Sequence, residues 1–99
     1  MIKHIVMWTI KDADGRSKEE NIELFKQKLE RLPETIEEIK DLEVGLNFNT
    51  LGTAMDVILI SEFENHDALQ RYQEHPDHVR VKEFVAKICD RSAVVDYEF

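Results

Sequence analysis

The spacing of apolar residues changes along this chain in a fixed order, and that order is the strongest constraint on its fold. It runs strand-like, helix-like, strand-like, strand-like, helix-like, strand-like. Apolar residues at every second position mark a strand, and steps of three and four mark an amphipathic helix. Residues 2–10 read as the first strand. Ile2, His4, Val6, Trp8 and Ile10 fall on one face, Ile5 and Met7 on the other. Ser17 with Glu20 three residues later is a capping box that starts a helix. Its stripe is Ile22, Phe25, Leu29, Leu32, Ile36 and Ile39. Pro33 interrupts the backbone, so the spacing predicts a helix to about residue 31 and a second helical turn or two running to Lys40.

Residues 42–50 read as the second strand, with Val44, Leu46 and Phe48 sharing a face. Thr50 to Thr53 is a turn, and residues 55–63 are the third strand. Asn65 or Asp67 caps a short helix bearing Ala68, Leu69 and Tyr72. Pro76 opens another helix, with Val81, Phe84, Val85 and Ile88 as its stripe. Residues 92–99 form the last strand. Two halves of β-α-β type predict one α+β domain, a ferredoxin-like βαββαβ fold with a four-stranded antiparallel sheet. Helices on one side of such a sheet leave the other side to water, so that side should be polar. Strands one and three are instead apolar on both faces. A second copy packed through the sheet face would cover them, which predicts a homodimeric α/β barrel.

Charge narrows the partners. The chain has 99 residues and a formal net charge of −8, with no basic cluster. That balance argues against nucleic acid and anionic membranes as partners. One cysteine, Cys89, excludes an internal disulfide and fits a reducing compartment. No stretch resembles a signal peptide or a membrane span, so a cytoplasmic location is expected.

The chemistry-bearing residues gather at the second helix break. Tyr72, His75, Pro76, Asp77 and His78 lie within seven positions. Histidine suits proton transfer near neutral pH, and a phenol can donate to a carbonyl oxygen that gains charge. Tyr72 and His78 are the candidate catalytic pair. His4, Trp8 and His75 are candidate binding residues, with His4 on the cleft floor. Packing offers a competing account for each: Tyr72 against the sheet, His78 solvated, His4 a satisfied core residue, and His75 the turn or cap residue before proline. His66 reads as exposed. Pro76 spoils metal spacing between His75 and His78, no HExxH motif occurs, and the three glycines are scattered. No metal and no cofactor are expected.

At this point the chain resembles the stress-responsive dimeric α/β-barrel (Dabb) family over nearly its whole length. The anchors are Ile2 to Val6, Ile39-Lys40-Asp41, Phe63, Tyr72 with His75 to Val79, and Asp96-Tyr97. The resemblance implies a ferredoxin-like protomer whose sheet packs on that of its twin. The family includes plant olivetolic acid cyclase, which closes a polyketide by aldol condensation. Its catalytic histidine and tyrosine match His78 and Tyr72, and a pocket histidine matches His4. The resemblance thus implies that His78 takes a proton from an activated carbon, Tyr72 steadies the enolate and His4 helps hold a polar group. Lys26 and Lys28 make the first helix more charged than a lipid-tail pocket favours. Some plant members bind magnesium through main-chain carbonyls, in the region matching Pro33 to Ile39. The expected function is small-molecule binding with cofactor-independent acid/base chemistry on a carbonyl substrate. The rivals are a non-catalytic stress-response scaffold or ligand-binding dimer, and a cofactorless monooxygenase or haem-handling relative.

Overall fold

The computed structural model describes residues 1–99. Four strands, β1 (Ile2–Ile10), β2 (Asp41–Leu46), β3 (Val57–Phe63) and β4 (Cys89–Glu98), form one sheet in the order β2-β3-β1-β4. Every neighbouring pair is antiparallel. Helices α1 (Lys18–Glu30), α2 (His66–Glu74) and α3 (Pro76–Ile88) complete the ferredoxin-like βαββαβ order. None is long and apolar enough to cross a membrane.

Local chemistry starts each element. The Ser17 hydroxyl accepts from the Glu20 N–H and the Glu20 carboxylate accepts from the Ser17 N–H, closing the capping box of α1. Asn65, rather than Asp67, caps α2. Pro76 stands at the start of α3, where its missing N–H costs nothing. The core lies between the helices and one sheet face. It holds Ile2, Trp8, Phe25, Leu59, Phe63 and Tyr72, among others, and Phe25, Phe63 and Tyr72 are fully buried. Burying one such ring stabilises the fold by roughly 1.5–3 kcal/mol.

Several boundaries differ from the sequence reading. After α1 the chain makes only a short 3-10 turn at Leu32–Glu34, not a helix to Lys40. Pro33 cannot continue the α-helical ladder, and Thr35 leaves helical geometry at φ −124°. The apolar stripe still reaches the core, since Leu32 and Ile36 are buried. The second strand ends at Leu46 rather than at residue 50. Asn47 and Asn49 take over there, because their side-chain oxygens accept from the N–H groups of Asn49 and Leu51 and turn the chain away. Phe48, expected beside Val44, is 99% exposed as a result. The last strand begins at Cys89, directly after α3, with no connecting loop. β3 starts at Val57, two residues later than expected.

The far face of the sheet carries no layer. Cross-strand register places Val95, Ile5 and Ile60 in one row there, and Ala93, Met7 and Ile58 in the next. Tyr97, Lys3 and Glu62 make a more polar row at one end.

Candidate functional site

The site is built at the break between α2 and α3. Pro76 has no N–H to donate, and His75 adopts an extended ψ of 133°. The last carbonyls of α2 therefore need other partners. The Tyr72 carbonyl accepts from the His75 N–H at 3.2 Å. The Gln73 carbonyl lies 3.1 Å from His78 Nδ1. A carbonyl can only accept, so Nδ1 carries the proton and Nε2 keeps its lone pair. The His75 ring is used differently. Its Nδ1 accepts from the Asp77 N–H at 3.1 Å and caps α3.

Tyr72 projects from the last turns of α2 into the core. Its ring lies 4.3 Å from that of His78, 4.8 Å from Phe63 and 6.0 Å from His4. The Tyr72 hydroxyl is buried and has no hydrogen-bond partner. Burial pushes the phenol pKa well above its ordinary range, so it is a neutral donor. His78 moves the opposite way. Burial lowers its pKa and the Gln73 carbonyl works against that. Positive charge at His4, Lys82 and His75 lowers it further. A neutral imidazole and a neutral phenol thus stand side by side, one able to accept a proton and the other to donate a hydrogen bond.

A second histidine is fixed by sheet register. His4 on β1 pairs across the sheet with Asp96 on β4. Its Nδ1 meets the Asp96 carboxylate, which accepts, so Nε2 is again the free nitrogen. His4 is 4% exposed. Asp96 escaped the sequence reading as a site residue. It stands 92 positions from His4 in the chain, and only the register brings the two together.

One cavity of about 450 Å³ joins these groups. His4, Trp8, Tyr72, His78 and Asp96 all line it. Phe25, Leu29, Leu59, Val81 and Val85 give it apolar walls. Gln73, Lys82 and Ser92 complete its more polar border. His75, expected among the binding residues, lies outside it. Its work as a helix cap places it in a separate polar cleft with Pro33, Thr35, Glu37 and Glu38. His66 is exposed and pairs with Glu98. No group of three or more His, Cys, Asp or Glu side chains has metal-binding geometry.

Comparison with known proteins places this chain in a family. A protein of Bacteroides fragilis, described as dimeric, ferredoxin-like and of unknown function, superposes with a TM-score of 0.82 at 39% identity. The match covers 99% of this chain and 95% of that one. A stress-response A/B barrel domain-containing protein of Arabidopsis thaliana is 34% identical over 98 residues, and this chain spans 36% of its length. A hydroxynitrile lyase from Passiflora edulis has the same fold, with a TM-score of 0.77 at 17% identity over 97% of this chain and 90% of that one. The model of the stress responsive A/B barrel domain matches residues 2–99. The chain belongs to the stress responsive A/B barrel domain family.

Proposed function

We propose that this protein is a cytoplasmic homodimer that binds a small carbonyl compound and moves a proton on it without a cofactor. One observation carries the reading: the Tyr72 hydroxyl is buried without a partner, beside a neutral His78, on the wall of a cavity. Native proteins rarely leave a buried polar atom unsatisfied, and a ligand oxygen would satisfy this one. In the proposed step, His78 Nε2 takes a proton from the carbon next to the carbonyl. The C–H electron pair moves into the new C=C bond, and the carbonyl π pair moves onto oxygen. Tyr72 donates a hydrogen bond to that oxygen as charge builds. The imidazolium then returns its proton to carbon, or to the alkoxide if the enolate attacks a second carbonyl. His4, held by Asp96, orients a further polar group. The resemblance to olivetolic acid cyclase at Tyr72 and His78 supports the same pair, and the Passiflora neighbour is an enzyme on this fold.

Proton exchange tests this directly. Carbonyl compounds with acidic carbons are incubated in deuterated buffer, and loss of the carbon-bound proton is followed by NMR. Exchange above the buffer rate is expected. Tyr72→Phe should slow it by about 10²–10³-fold and His78→Ala should abolish it, and neither should lower the melting temperature appreciably. No exchange across a broad carbonyl set, or variants that act only by unfolding the protein, would favour the scaffold reading.

A further inference from the structure

α3 presents one face to the cavity. His78, Val81, Lys82, Val85 and Ala86 repeat at helical spacing and all line it. Lys82 is the one lysine or arginine in the lining. It stands one turn from His78 and acts on it as a positive charge. Lys82 forms no ion pair, as is true of several other lysines of the chain, but it alone of them lines the cavity. An unpaired cation at the border of an apolar cavity is notable in a chain of net charge −8. Asp96, in the same lining, offers the opposite charge, but it is engaged with His4.

We propose that the ligand of this cavity carries a carboxylate, held by the Lys82 ammonium at the border, with its apolar body against Trp8 and Val85. The inference deepens the proposed function and rests on the same cavity being the ligand site. A single lysine is a point charge, without the planar fork of arginine, and no glycine-rich loop lies in the lining. That favours one negative charge over a phosphate.

Trp8 is the sole tryptophan and lines the cavity, so its fluorescence reports occupancy without turnover. The probes are octanoate and neutral octanamide, titrated into the purified protein at mildly alkaline pH. Octanoate should bind about threefold to fivefold tighter, the size of one partly exposed ion pair. Lys82→Gln should bring the ratio to one, Lys82→Arg should keep it, and added salt should shrink it. Equal affinities in the unaltered protein, a ratio unmoved by Lys82→Gln, or no Trp8 response to either probe at millimolar concentration would overturn the inference. Charge preference without proton exchange would leave this inference standing and sink the acid/base reading. Proton exchange without charge preference would do the reverse.

Discussion

The Tyr72 hydroxyl is where folding and function pull apart. A buried hydroxyl without a partner costs roughly 1–3 kcal/mol relative to a satisfied one. Tyr72→Phe removes that cost and keeps the ring contacts with Phe63 and His78. The variant should be as stable as the parent or more so, by up to about 1 kcal/mol, while turnover falls by about 10²–10³-fold. Thermal melts beside activity check it, and a clear loss of stability would mean that the hydroxyl has a structural partner. His78 gives a pH prediction. Its folded pKa is lowered below 6.5 by burial. Between the two pKa values the unfolded chain binds more protons, so stability rises with pH there. The contribution is complete above 6.5 and lost as pH falls through the folded value. Activity that needs neutral His78 should rise along a limb centred below 6.5 and be flat above it. His78→Gln should remove that stability slope, as chemical denaturation across the acidic range would record. The Tyr72–His78 pair was legible in the sequence because six positions and a proline set it locally. The His4–Asp96 pair was not, because it depends on which strands pair and in what register.

At the scale of elements, what the sequence revealed followed how local the physics is. The α1 cap needs four residues and was read correctly. The end of β2 was missed because Asn47 and Asn49 can be strand residues or turn residues, and side-chain bonds to the following backbone decided for the turn. A helix beyond Pro33 was expected because its apolar phase persists, yet phase reports burial rather than hydrogen bonding. Ile36 is buried without being helical. The β1–α1 connection shows a polar version of the same ambiguity. Asn21 sits on α1 near the apolar stripe, and it is fully buried. Its amide donates to the Lys11 and Ala13 carbonyls at 3.0 and 3.1 Å, and its oxygen accepts from Arg16 Nε at 2.7 Å. It thereby pins a turn in which Asp14 and Gly15 take positive φ, 59° and 78°. Asn21→Ala strands those partners and should cost roughly 2–3 kcal/mol. Urea denaturation measures it, and a change within about 0.5 kcal/mol would mean that the turn holds itself.

At the scale of the whole molecule, the sheet separates two jobs. Its helix-side face builds the core and the cavity. Its far face holds Ile5, Met7, Ile58 and Ile60 in two adjacent rows, with Val95 and Ala93 beside them on β4. Val95 is 53% exposed and Tyr97 44% in the isolated chain. On the edge strand β2, Gly45 pairs with Ile58, and a Cβ there would come within 2.8 Å of the Ile58 side chain. Such a face has no covering layer in the protomer, and structural neighbours of this chain are described as dimeric. Sheet-to-sheet packing by a second copy would bury both rows at once, and a two-fold axis would bring each row near its own image. Light scattering at micromolar concentration should therefore give twice the chain mass. Ile60→Asp would place a carboxylate in the central row of each copy and should yield monomers. Val95→Glu, nearer the edge, should weaken the dimer less. Circular dichroism separates dissociation from unfolding in both. Because the cavity lies on the opposite side, folded Ile60→Asp monomers should keep the Trp8 response to octanoate. A monomeric parent protein, or an Ile60→Asp variant that keeps the dimer mass, would refute packing through this face. Loss of the Trp8 response on dissociation alone would mean that the partner completes the cavity.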